Sequence, residues 1–380
     1  MIKILKNLDK KLLIVTIILF AIGLVMIYSS SNVTAYMDDA PPSAYFMRQL
    51  LFLGAGLVIS LVIIKFNTKT YSLISWLATM AISIILVCLF LYGTAVNGVY
   101  GWIGYNGFGV QPSEFVKISI IVLLATYYDQ NKDYGDDLKK MLLPLGVVFL
   151  VTLFIVLQKD LGTAFIFLVL SLCIFFMSPT SKKIKRGVFF LGVFSVVLLV
   201  LVLLVGGDKV LDSNKLDRFN FAKPCERYLD SGNQLCNAYI AINGGGLFGK
   251  GIGNSTQKYL YLPESHTDFI FAIFVEECGL IGVVVLFCLY IFLLLRIVAI
   301  GSNTDRILYK LICYGVAIYL FLHIIINLGG VMGIIPITGV PLAFISYGGS
   351  FCWCTIIALT LVQRVQYEMK MQKVKSLKKV

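Results

Sequence analysis

The chain has 380 residues, 59% of them hydrophobic and only 14% charged, with a mean hydropathy of +0.89; soluble globular proteins carry roughly a quarter charged residues, so that class is excluded. Apolar runs of about 20 residues recur from end to end without two-residue alternation, which predicts an all-α polytopic membrane protein and not a β-barrel. The formal net charge of +12 gathers in alternate loops and not in a basic stripe interleaved with aromatics, so it sets membrane orientation and makes no case for nucleic acid as a partner.

Ten transmembrane helices are predicted, over about 12–32, 46–64, 71–93, 113–128, 141–157, 161–178, 187–206, 268–295, 309–328 and 343–366. The first run follows the basic segment MIKILKNLDKK. It is longer than the roughly 7–15 residues of a signal-peptide core and no A-x-A-like site follows, so a retained helix is expected. An even count places both termini on one side, and the lysines at both ends make that side the cytoplasm. Lys65, Lys69, Lys132, Lys139, Lys140, the SKKIKR run at 181–186, Arg296, Arg306 and Lys310 fall in loops on that side. The exterior loops offer Asp38 and Asp39, with Arg48, Lys117 and Lys159 at span edges. The expected organisation is a cytoplasmic N-terminus at 1–11, a single ten-helix membrane domain at 12–368, and a basic cytoplasmic tail at 369–380.

Polar segments break this pattern five times, each at the exterior face. In QPSEFVK (111–117), Pro112 suits a helix start, and Glu114 and Lys117, three apart, can pair in support of a polar cavity. In QKDLGT (158–163), Lys159 and Asp160 sit in a very short hairpin, either as a solvated turn or as a contact to a lipid headgroup or phosphate.

The third break is the long exterior loop at 206–267 between spans seven and eight, whose aromatic and apolar content predicts packed structure. Cys225 and Cys236 share it, as a disulfide if the exterior is oxidising or as two free thiols; the other seven cysteines lie in or beside spans, where a free thiol acts as a small hydrophobe. Its glycine-rich stretch AINGGGLFGKGIGNSTQK (241–258) lacks a P-loop pattern, but glycines let a backbone approach a ligand closely. Lys250 and Lys258 would supply cations for a diphosphate there, or sit in solvent.

The fourth break, YLPESHTDFIFA (261–272), runs Glu264, His266 and Asp268 straight into an apolar span. An ionised group at the edge of hydrocarbon costs on the order of several kcal/mol unless paired or hydrated, so it marks a functional site by default. Asp268, about one turn into the span, is available as a general base; a capping role would explain one acid and leave its neighbours unexplained. The last break, NLGGVMGIIPITGVPLAFISYGGS (327–350), includes Ser346, and such irregular backbone is tolerated in a membrane only where protein buries it or it lines a cavity.

The motifs QPSEFVK, QKDLGTA, GNSTQKYLYLPESHTDFIFAIFVEECG and GIIPITGVPLAFISYGGS resemble those of the SEDS (shape, elongation, division and sporulation) proteins, in order and over nearly the whole chain. GNSTQKYLYLPE is closer to the FtsW and SpoVE branch than to RodA. The resemblance implies a ten-helix peptidoglycan glycosyltransferase of the bacterial cytoplasmic membrane. Such an enzyme polymerises lipid II, an undecaprenyl-diphosphate-linked disaccharide pentapeptide, with a class B penicillin-binding protein transpeptidase and the division or elongation machinery. It implies Asp268 as the catalytic aspartate, with Glu114, Lys117 and Asp160 in support, and a divalent cation (Mg or Mn) whose ligands the motifs do not name. Lys117, Arg218, Lys258 or that metal would neutralise the departing diphosphate, and Glu264, His266 and Ser346 would line the site.

Two departures stand out. Tyr100 occupies the region before Trp102 where the family carries an arginine, and AKPCERYLDSGNQLCNAY (222–239) lacks the family's proline-aspartate pattern. A lipid II flippase and a non-catalytic scaffold for the transpeptidase are the competing classes; the first predicts internal repeats and midplane polar residues, which the chain lacks.

Overall fold

Asp9 closes the basic N-terminal segment by accepting a hydrogen bond from Leu12 N (2.8 Å), and the apolar run that follows folds as α1, Lys10–Met37. The structure is a computed structural model and describes residue 4 and residues 6–93, 99–105, 108–194, 224–227, 232–259 and 261–377. Two helices follow, α2 (Ala44–Ile63) and α3 (Tyr71–Tyr92), then a short hairpin of β1 (Ile103–Tyr105) and β2 (Phe108–Val110) that pairs Ile103 with Val110. Next come α4 (Pro112–Gln130), α5 (Leu138–Leu157), α6 (Leu161–Met177) and α7 (182–194). The chain ends with α8 (Asn233–Gly245), α9 (Ile270–Ser302), α10 (Ile307–Val331) and α11 (Gly349–Leu377).

Among the described residues, α1, α2, α3, α5, α9 and α10 are long and apolar enough to cross a membrane, and α6 is a shorter apolar helix. The outer surface is apolar, as lipid contact requires: Leu50, Leu51, Leu57 and Val58 of α2 and Leu143, Phe149 and Leu150 of α5 all face outward. The polar interior belongs to α4 and α10, which bury Glu114, Lys117, His323 and Asn327. The seventh expected span is helical as far as residue 194, and its remainder lies outside the described residues, as does Arg218.

One end of the bundle is tied by charge. Asp9 pairs with Arg296 and donates its backbone N–H to Gln363 Oε1 (2.7 Å), Arg306 pairs with Asp129 (3.7 Å), and Glu368 accepts from Tyr309 (2.8 Å) and Arg364 (2.8 Å). The loops expected in the cytoplasm therefore meet at one end. α11 continues into the basic tail as far as Leu377.

Two departures from simple spans shape the opposite end. The eighth expected span, 268–295, is not one helix. It begins at Ile270 and breaks at Gly279, whose φ of 65° and ψ of −173° only glycine adopts readily. Phe271 stacks on Phe287 at 6.2 Å between ring centroids, which a straight helix would hold about 24 Å apart along its axis. Residues 270–278 thus fold back along the descending part of α9. The break frees backbone groups, and the glycine-rich loop satisfies them: Lys250 N and Gly251 N donate to Glu276 O (2.9 Å) and Glu277 O (3.0 Å), while Leu280 N and Ile281 N donate to Gly246 O (3.0 Å) and Leu247 O (3.2 Å).

The second departure is the strap between α10 and α11, which is not helical and delays α11 from the expected 343 to Gly349. It dips between helices. Tyr290 donates to Ala343 O (2.6 Å), Phe344 packs edge-on to Phe20 of α1 at 5.0 Å, and a side chain at Gly23 would collide with Phe344 O. The part that dips, residues 342–346, is buried in protein, and Ile345 N and Ser346 N are bonded to Leu342 O, the condition under which irregular chain survives in hydrocarbon.

Candidate functional site

The polar turn ahead of α9 is held against the strap at three points. Tyr347 N donates to His266 O (3.0 Å), Ser346 Oγ donates to Thr267 O (2.6 Å), and Asn327 Nδ2 donates to both Asp268 O and Val340 O (2.8 Å each). Ser346 therefore acts through its hydroxyl as a brace. Within the turn, Glu264 takes a positive φ of 54° and its carboxylate accepts from Thr267 Oγ1 (2.5 Å). The strain of a non-glycine residue in this region is of order 1–3 kcal/mol and persists where the surroundings over-determine it.

Asp268 is half-buried in a small cleft lined by Phe269, Asn327, Gly330 and the strap residues Ile337 to Val340. A side chain on Gly339 would begin 3.5 Å from Asp268 Oδ2, so the carboxylate lies over a glycine. Its oxygens have no ion-pair partner among the described residues, and they do not cap α9, whose N-cap is Phe269 without a side-chain bond. Desolvation first, and then the charge of Glu264, push its pKa up to about 7. A carboxyl poised there is a proton acceptor near neutral pH.

His266 is a different kind of neighbour. It is buried, packs edge-on against Tyr45 (4.8 Å) and meets Tyr347 (5.7 Å), and desolvation lowers its pKa, so the ring stays neutral. Arg48 sits over Tyr45 (5.5 Å to the ring centroid) beside this cluster, without an ion-pair partner among the described residues.

The other expected residues converge from the far side of the strap. Asp160 caps α6 through Thr163 N (3.0 Å) and accepts from Gln111 Nε2 (2.8 Å), while Gln111 N donates to Ser350 Oγ (2.9 Å). Gly162 packs against Thr338, one residue from Gly339. Glu114 and Lys117 pair at 2.6 Å, fully buried, and Lys117 Nζ also meets His323 Nε2 at 3.0 Å. Lys159 stands exposed over the Tyr100 ring (5.4 Å), so Tyr100 holds a cation beside this hairpin.

Lys258 is not at the site. It is buried and bonded to Glu277 (3.0 Å), Ser29 Oγ (3.1 Å) and Gly253 O (2.6 Å), so its charge is spent on the break in α9. Lys250 pairs likewise with Glu276 (2.6 Å), so the glycine loop serves the broken helix. Lys117 is also neutralised, by Glu114. Among the described residues, Arg48 beside the His266 cluster and Lys159 beside Asp160 are cations without an ion-pair partner. Cys225 and Cys236 form a disulfide, with Cα atoms 4.9 Å apart, pinning residues 224–227 to α8. Sequence reasoning missed Gln111, His323, Asn327, Glu276 and Glu277. For the last two a signal existed, since adjacent acids in an apolar run need cations and the preceding loop supplies two lysines.

No three histidine, cysteine or acidic side chains among the described residues come together as a metal-binding set. The chain's own residues therefore form no cage for a divalent cation among the described residues, and such a cation would be held through a substrate diphosphate.

A cell cycle protein family model covering FtsW, RodA and SpoVE matches residues 10–371. The chain belongs to the FtsW/RodA/SpoVE family. It is 36% identical over 353 residues to the "Probable peptidoglycan glycosyltransferase FtsW" of Bacillus subtilis (strain 168), covering 92% of this chain and 88% of that protein. It is 34% identical to stage V sporulation protein E of the same organism, covering 94% and 96%. A chain from a peptidoglycan synthase complex that coordinates polymerization and crosslinking shares the fold, with a TM-score of 0.77 at 24% identity over 94% of this chain and 97% of that one.

Proposed function

We propose that the protein is a peptidoglycan glycosyltransferase that links lipid II disaccharides into glycan strands at the outer face of the bacterial cytoplasmic membrane. The observation that carries this is the Asp268 carboxylate, without an ion-pair partner among the described residues, over a glycine, and with its pKa pushed up to about 7 in a cleft that three parts of the chain build together. In the reaction the acceptor hydroxyl gives its proton to Asp268 while its oxygen bonds to the donor's anomeric carbon. The bond from that carbon to the diphosphate oxygen breaks, and the electron pair leaves with undecaprenyl diphosphate. One base suffices for such an inverting displacement, and no carboxylate nucleophile is needed. Arg48 and Lys159 hold the diphosphate, Glu114, Lys117 and Asp160 support the strap, and a divalent cation, when bound, would neutralise charge on the leaving group.

Ten spans with both termini in the cytoplasm agree with the charge-tied end and with a disulfide in the opposite loop, since disulfides persist in oxidising compartments. A class B penicillin-binding protein is the transpeptidase partner, and the division or elongation machinery its setting. Purified protein with that partner should convert labelled lipid II into glycan strands. A protein that moved lipid II across vesicles without making strands would be a flippase instead.

A further inference from the structure

Asn327 has an oxygen that its structural duty leaves over. Its Nδ2 lies 2.8 Å from Asp268 O and 2.8 Å from Val340 O. Both are carbonyl oxygens, which only accept, so the amide must turn its nitrogen to them; the flipped amide would set oxygen against oxygen. That fixes where Oδ1 goes. It is buried and has no hydrogen-bond partner among the described residues, in a residue only 4% exposed that lines the cleft holding Asp268.

A clamp between Asp268 and the strap accounts for Nδ2 and not for Oδ1. A buried acceptor left unsatisfied costs about 1–3 kcal/mol, so native proteins rarely leave one without a ligand or a water. The cleft has room for little more than one water-sized group, so it takes a single polar group of a sugar and not a whole lipid-linked disaccharide.

We infer that Asn327 Oδ1 accepts a hydrogen bond from an O–H or N–H of the acceptor sugar, next to the hydroxyl that Asp268 deprotonates. This rests on the proposed glycosyltransferase reading and adds a second contact to it. Asn327 then joins two tasks in one amide. Its nitrogen fixes the main chain of the base, and its oxygen orients the sugar.

The test is a cycle between protein and substrate. Asn327→Leu, which keeps the volume and removes the amide, is compared with wild type on lipid II and on acceptor analogues that each lack one O–H or N–H donor other than the reacting hydroxyl. With wild type, one analogue should lose roughly 5- to 100-fold in kcat/KM, and with Asn327→Leu that same deletion should cost nothing further. If every deletion costs the same factor in both proteins, Oδ1 touches no sugar and the inference falls. Should Asn327→Leu fail to assemble by thermal unfolding in detergent, Asn327→Ala and Asn327→Thr enter the same cycle. Lack of strand synthesis by the wild-type complex would count against the glycosyltransferase reading; strand synthesis with additive deletions counts against Asn327 alone.

Discussion

Lys258 and Glu277 form a fully buried ion pair at 3.0 Å across the break in α9, with Ser29 of α1 donating to the same carboxylate at 2.6 and 2.8 Å. Removing one partner strands the other charge away from water, which typically costs about 3–5 kcal/mol, whereas replacing both by apolar groups is often neutral. Lys258→Met alone should lower the unfolding temperature of the detergent-purified protein sharply, and Lys258→Met with Glu277→Leu should recover most of the loss. Single and double variants equally stable to wild type would contradict the pair's place in the fold.

The break itself depends on Gly279. A side chain there would begin 2.3 Å from Gly249 N, in backbone space that other residues reach only at a cost of order 1–3 kcal/mol. Gly279→Ala should therefore reduce both folded yield and strand synthesis, while Gly192→Ala, where a side chain meets nothing within 4 Å, should change neither.

The Asp268 carboxyl titrates at about 7, against roughly 3.9 for a free aspartate. The base is the anion, so strand synthesis should climb as pH rises through about 7 and level off above it. Stability has the opposite sign. A raised carboxyl pKa means that the folded protein holds the proton more tightly than the unfolded chain, so this contribution is present below about pH 4 and is lost as pH rises through about 7. Asp268→Asn should accordingly gain unfolding temperature over wild type as pH moves from 5 to 8. A gap that does not change with pH would remove the burial argument.

How far the sequence carried these readings follows from range. The apolar runs, and the pairing of Glu114 with Lys117 three residues on, are local patterns that hydropathy and helix geometry expose. The fold-back at Gly279 is not local: FVEECGLIG looks like uninterrupted membrane helix, and only the docking of 246–251 shows where its freed carbonyls go. For the same reason Lys258 looked like a loop cation, because its partner lies 19 residues away. Asn327 and His323 are single polar residues in an apolar run, and their meaning comes from the strap and from α4 packed against them.

The disulfide predicts a thiol count. Seven of the nine cysteines are free, so denatured, unreduced protein from membranes should react with seven equivalents of alkylating reagent and with nine after reduction. Nine without reduction would contradict the Cys225–Cys236 bond and weaken the exterior placement of its loop.

The central claim is that Asp268 takes the proton from the acceptor hydroxyl. The most direct measurement is strand synthesis from labelled lipid II by purified Asp268→Asn protein with its transpeptidase partner, beside wild type and with matched folding and complex formation. No glycan strands from the variant, with folding retained and partner binding unchanged, is the result expected; strands at the wild-type rate would refute the assignment.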